Sequence, residues 1–145
     1  MDWDKELTSF ELAVCENQGT LFEECQLAYE CDAFDFVEKF MCGEVAAQMD
    51  KKVSSFHNTG TKQLGEYFLE ITAVLPLTRR RSAEALYWLG YTYRYWAWLG
   101  MPSSEIIKVA PVEKAYMLYE GFHTLDVKEA VRLLTQRAAQ YGHRV

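Results

Sequence analysis

Seven aromatic residues fall within the twelve positions from Tyr87 to Trp98: Tyr87, Trp88, Tyr91, Tyr93, Tyr95, Trp96 and Trp98. At 3.6 residues per turn they point to every side of one helix, and a helix that is apolar all round is a buried one. Ser82 suits its N-cap, Glu84 its first turn, and Gly100 with Pro102 its stop. The segment therefore predicts a central core helix around which the rest of the chain must pack. With 145 residues, a chain of this length buries roughly 68–70% of its extended surface on folding. That suffices for one core, so a single helical domain over 1–145 is expected.

Helix punctuation continues along the chain. Trp3 to Cys15 carries Leu7, Phe10, Leu12 and Val14 at mixed helical spacing, and Asn17-Gln18-Gly19 resembles a stop. Thr20-Leu21-Phe22-Glu23 fits a capping box that would start a second helix. Asp32 can cap a third, through Phe34, Val37, Phe40 and Met41, with Gly43 interrupting before Glu44 to Met49. Between Asp50 and Lys62 the pattern weakens, and His57-Asn58-Thr59-Gly60 predicts an exposed connection. Thr61 opens a helix whose Leu64, Phe68, Ile71 and Leu75 share a face until Pro76. Ser103 or Ser104 can cap a short helix, Pro111 opens Val112 to Glu120 with Gly121 as its end, and Asp126 to Glu129 can form a capping box for a last helix buried through Val127, Ala130, Val131, Leu134 and Ala138. No stretch alternates with period two. The expected fold is all-α, a compact single-domain bundle of about seven or eight helices around the aromatic one.

Charge is distributed unevenly. Through Glu38 there are eleven acidic residues against the single base Lys5, a net charge of -10, whereas Pro76 onward carries ten bases against six acids, a net +4. An acidic face repels nucleic acid and draws in basic partners. Alternatively, these acids and bases meet inside the folded domain. If the acids remain outward, Glu16, Glu23, Glu24, Glu30, Asp32 and Asp35 form the partner-binding face.

Chemical motifs are sparse. Cys15, Cys25, Cys31 and Cys42 lie too far apart for paired zinc ligands, with no histidine before His57, and are expected to be reduced core residues. No cofactor or metal is expected. His123, Thr124 and Asp126 share a loop, but no nucleophile or oxyanion motif accompanies them, and Asp126 is better explained as a cap. Arg94 is the only charge between Tyr87 and Trp98, so it is either a rim residue or a buried cation with a partner. Were Arg94 and His123 to converge in a pocket, the chain would be an enzyme or a small-ligand binder. Arg79-Arg80-Arg81 before a helix start could hold phosphate, and the Ser82–Leu99 and Ser103 segments could imitate a helix-turn-helix regulator. Overall acidity opposes nucleic-acid affinity, and Pro111 would break the recognition helix. The acidic Met1-Asp2-Trp3-Asp4 lacks a basic leader region and no apolar run approaches a membrane span, so a cytoplasmic location is expected.

The run Tyr87-Trp88-Leu89-Gly90-Tyr91-Thr92-Tyr93-Arg94-Tyr95-Trp96, with Ala110-Pro111-Val112-Glu113-Lys114 and Phe122-His123-Thr124-Leu125-Asp126, resembles small bacterial proteins of toxin–antitoxin-like operons. The resemblance covers roughly the C-terminal half. It implies an antitoxin or related neutralising partner, and it transfers no catalytic residues. The sequence thus leads toward a protein-interaction module that binds a basic protein partner, possible cognate toxins included. An enzyme or ligand binder at Arg94 and His123 is the second class, and a homodimer formed through surplus aromatics is the third.

Overall fold

The computed structural model describes residues 1–142; Arg144, counted among the C-terminal bases, lies outside them. Nine α-helices occur among the described residues: α1 Ser9–Tyr29, α2 Ala33–Cys42, α3 Glu44–Met49, α4 Thr61–Ile71, α5 Ala83–Trp98, α6 Ser103–Val109, α7 Val112–Met117, α8 Tyr119–Phe122 and α9 Val127–Gly142. A 3-10 turn, Ser55–Asn58, lies between α3 and α4. The architecture is the all-α bundle expected, with one helix more than the upper estimate: two expected helices fuse into α1, while α3 stands apart from α2 and α7 and α8 divide the segment read as Val112 to Glu120. Gly121 does not end that segment; it lies within α8.

The aromatic helix is central. α5 packs along α1 more extensively than any other helix pair. Tyr93, Arg94 and Trp96 are fully buried, and Trp88 and Trp98 nearly so. Burying a large apolar side chain contributes about 1.5–3 kcal/mol relative to exposure, which for Arg94 is opposed by the cost of desolvating a charge. Burial is not uniform around α5, however: Tyr87, Tyr91 and Tyr95 remain half-buried. Their i, i+4, i+8 spacing makes them one stripe, which no other helix covers completely.

The largest departure from the sequence expectation concerns α1. Gly19 does not stop it, and Thr20 does not start another helix; α1 runs unbroken for 21 residues. Gly19 and Gly90 face each other where α1 crosses α5. A Cβ on Gly90 would lie 2.6 Å from the Gln18 carbonyl oxygen, and one on Gly19 would lie 2.9 Å from that of Tyr87. The glycines let two backbones touch, and the packing this permits outweighs the roughly 1 kcal/mol that glycine costs inside a helix. The helix also starts later than Trp3. Thr8 is the N-cap and forms a reciprocal capping box with Glu11. The preceding residues lie against the far end of α5: Asp2 N–H donates to the Leu99 carbonyl at 2.7 Å, and Lys5 lies over the Trp98 ring.

Several other elements follow the sequence closely. Asp32 caps α2 through the Asp35 N–H, Ser82 caps α5 through the Ala85 N–H, and Gly100 takes a left-handed φ of 122° just after α5. α4 ends at Ile71 instead of reaching Pro76, since residues 72–77 are drawn out beside the α1–α2 connection. There Asp32 N–H donates to the Leu75 carbonyl at 2.9 Å and Leu77 N–H to that of Glu30 at 2.8 Å. Leu75 and Ile71, expected on a buried face, are consequently exposed. His57, expected in an exposed connection, is buried: its Nε2 lies 2.8 Å from the Met49 carbonyl oxygen, and its ring packs between Phe10 and Trp98. Asp126 caps α9 through the Lys128 N–H, while Glu129 turns instead to Arg132.

Candidate functional site

α5 positions chemistry at two places, and the two sequence-derived ligand candidates fall one in each. Arg94 lies at the first, a fully buried cation. Its Nε donates to Gln18 Oε1 at 2.9 Å, Nη1 to Asp50 Oδ1 at 2.7 Å and Nη2 to Ser103 Oγ at 3.3 Å. Asp50, at the end of α3, also accepts from the Ser103 N–H at 2.8 Å and its hydroxyl at 2.6 Å. Gln18 donates in turn to the Gly90 carbonyl at 3.0 Å. Burial pulls the Arg94 guanidinium below its ordinary pKa, and Asp50 opposes that pull. This is a tie between α1, α3, α5 and α6 in which each polar group holds a partner. Ser103 does not cap α6, as the sequence suggests; Pro102 stands at the N-cap and Asp50 takes the first amide instead.

His123 lies elsewhere and shares none of Arg94's partners. Its ring stacks on Tyr119 with centroids 4.5 Å apart, and Nδ1 lies 2.8 Å from the Tyr119 carbonyl oxygen. The two residues do not form the common pocket that a site around Arg94 and His123 requires, because the guanidinium is enclosed among α1, α3 and α6.

His123 instead borders a groove of about 540 Å³ over the exposed stripe of α5. Tyr87, Trp88 and Tyr91 form its floor, and Tyr119 with His123 forms one wall. Glu23 from α1 and Glu84 from the first turn of α5 bring carboxylates to it. Trp88 and Tyr119 meet edge to face at 5.9 Å and 70°, so the rings enclose a corner instead of a flat stack. Tyr119 Oη is 3.5 Å from Glu84 Oε2. The phenols of Tyr87, Tyr91 and Tyr119 are all raised above the ordinary tyrosine range, first by burial and then by neighbouring carboxylates, with Tyr91 pushed up to about 12. Glu23 and Glu84 place negative charge beside these rings.

The six carboxylates of the sequence-derived face divide into two kinds. Asp32 is the α2 cap, and Asp35 accepts from the Leu75 N–H at 2.8 Å and pairs with Lys39 at 2.9 Å. Glu16, Glu24 and Glu30 are exposed and, among the described residues, hold no ion pair. Glu23 is half-buried at the groove. At 100° per residue Glu16 and Glu23 fall within about 20° of one another on α1, and Glu30 stands at its C-cap. Leu27, 67% exposed, lies on the same stripe. Lys128 with Glu6, at 3.5 Å, is an ion pair that links the acidic segment to the C-terminal half.

The remaining motifs are structural where they are packed. Burial pushes the Cys15 and Cys25 thiols up to about 12, which keeps them protonated core residues; Cys31 is buried too, whereas Cys42 is exposed. Arg81 is clamped by Gln26, whose side chain donates to the Arg81 carbonyl and accepts from its N–H, and its guanidinium lies 4.0 Å above Phe34. Only Arg79 and Arg80 of that basic run are exposed. No helix of the described residues is long and apolar enough to cross a membrane. The aromatic groove was missed in the sequence because Tyr87, Trp88 and Tyr91 fall on a helix expected to be buried all round, and nothing local links them to Tyr119 and His123 some thirty residues on. Compared with known protein families, curated proteins and solved structures, the chain matches none.

Proposed function

We propose that this chain is a protein-interaction module of the antitoxin kind, acting in the cytoplasm and docking on a basic protein partner through the acidic stripe of α1. The observation that carries the reading is the outward set Glu16, Glu23 and Glu30 with Glu24 beside it, whose exposed members lack internal cations. Isolated carboxylates on one helix face create a field that steers a cationic surface, while the exposed Leu27 offers an apolar anchor within it. Glu30 adds a second support. It ends α1 in the left-handed conformation, φ 51° and ψ 40°, where glycine is the usual residue. Its negative charge also stands at the negative end of the helix dipole. A residue disfavoured twice by local energetics fits a requirement outside the fold.

The test is co-expression with the product of the adjacent gene, followed by association kinetics on the purified pair. Neutralisation requires that the neighbour be harmful alone and harmless in the complex. Reversal of Glu16, Glu24 and Glu30 to lysine should slow association by roughly ten-fold or more and flatten its dependence on salt. Unchanged rates at low salt would reject the acidic stripe as the docking face.

A further inference from the structure

The groove over Tyr87, Trp88 and Tyr91 has a chemistry distinct from the stripe beside it. Its lining is mainly aromatic, from Tyr87, Trp88, Tyr91, Tyr119 and His123, and its fixed charges are the carboxylates of Glu23 and Glu84. Among the described residues, no lysine or arginine lines it. An anion would meet like charge, and a neutral apolar ligand would leave the carboxylates without a counterpart. A strongly hydrated metal ion finds no group of three protein ligands among the described residues. A soft cation on an aliphatic stem satisfies both features at once, its alkyl groups against the rings and its charge against the quadrupoles and carboxylates. The volume of about 540 Å³ accommodates such a group with several methylenes behind it.

We propose that this groove is an aromatic cage for an ammonium group on an alkyl chain, the side chain of a lysine or methylated lysine presented by the basic partner. The proposal rests on the partner-binding reading and specifies its anchor. Glu23 belongs both to the α1 stripe and to the groove, so a partner steered along the stripe arrives with a lysine at the cage mouth. Tyr87, Tyr91 and Tyr119, all half-buried, supply the rings, with the more deeply buried Trp88 beneath them. Glu84, exposed and 3.5 Å from the Tyr119 hydroxyl, orients the Tyr119 wall and adds charge at the rim.

The cage can be tested without the partner. The full chain is titrated with an otherwise uncharged peptide bearing one Nε-trimethyllysine, and with its neutral isostere in which carbon replaces the ammonium nitrogen, while the ring resonances of Trp88 and Tyr119 are followed by NMR. The cationic peptide should shift those resonances and bind at least several-fold tighter than the isostere. Tyr119→Leu should weaken it by roughly two- to thirty-fold, the range of a lost cation–π contact. Glu84→Gln, an exposed substitution that leaves the fold intact, should weaken the cationic peptide alone. Equal binding of the two peptides, or resonances that stay still at millimolar concentration, would overturn the cage while leaving the α1 stripe open to its own kinetic test. If the cage binds the peptide but Tyr119→Leu leaves the partner's dissociation rate unchanged, the partner's lysine is not the occupant and the proposal fails on that point. If charge reversal on the stripe leaves partner association unaltered while Tyr119→Leu speeds dissociation, the docking face is wrong and the cage stands.

Discussion

Two regions along α5 put carboxylates to opposite uses. Around Arg94 a cation, a carboxylate, an amide and a hydroxyl are enclosed, and each hydrogen-bonds to another. Around Trp88 the carboxylates of Glu23 and Glu84 face an open groove whose lining, among the described residues, contains no lysine or arginine. Charge inside a fold is tolerated only when paired, whereas charge at the surface can wait for a partner because water screens it in the meantime. A carboxylate whose neighbours already satisfy it is therefore structural. One that is left over, amid aromatic faces, is available for recognition.

That contrast is most exposed to failure at Asp50. Asp50→Ala leaves the Arg94 guanidinium buried without its counter-ion and the Ser103 amide without its acceptor. A loss of about 3–5 kcal/mol is expected, read as a lowered denaturant midpoint, and a change below 1 kcal/mol would mean that the cluster is not a stabilising tie. The groove should bind its probe normally wherever the variant remains folded.

A smaller effect is expected at Asp35, the carboxylate that straps residues 72–77 to α2. Burial raises its pKa, but the Leu75 amide and Lys39 together outweigh that and hold it below the ordinary carboxylate value. Because the folded-state pKa is the lower one, this stability is present in full above the unfolded carboxylate range and disappears as pH falls through the folded value. Asp35→Asn should cost about 1–2 kcal/mol near neutrality, and the gap to the natural chain should close as unfolding is measured from pH 5 down toward pH 3. A gap that stays constant would show that the strap does not depend on the charge.

Glu30 should behave in the opposite sense. Glu30→Gly relieves a left-handed side chain and removes a charge from the negative helix end, so stability should rise by about 1 kcal/mol, while association with the basic partner slows. A variant that is both less stable and equally fast would remove the argument from local strain. The smallest effect on folding belongs to Glu84→Gln: thermal unfolding should move by less than about 0.5 kcal/mol, with the change confined to binding in the groove. A marked destabilisation would place Glu84 among the structural carboxylates.

Much of the fold was legible before any coordinates. Asp32, Ser82, Gly100 and Asp126 act at helix ends because short polar side chains and glycine have local roles that do not depend on distant residues. Gly19 misled for the converse reason. As local punctuation it marks a stop, yet its actual role is set by Tyr87 and Gly90, some seventy residues away, where two backbones require the space. Leu75 shows the same limit: its spacing continues that of α4, but the extended pairing with Glu30 and Asp32 takes the chain out of the helix.

The sequence alone determined that this chain is all-α, that its aromatic helix is central and that its carboxylates crowd toward one end. Those are consequences of periodicity, capping and composition, which act over a few residues at a time. Only the tertiary structure decided which carboxylates are already satisfied, that Arg94 is buried among Gln18, Asp50 and Ser103, and that Tyr119 and His123 close a groove over Tyr87 and Trp88. Pairing and enclosure depend on residues brought together from distant parts of the chain, and a charge or a ring acquires its role only from what packing places next to it.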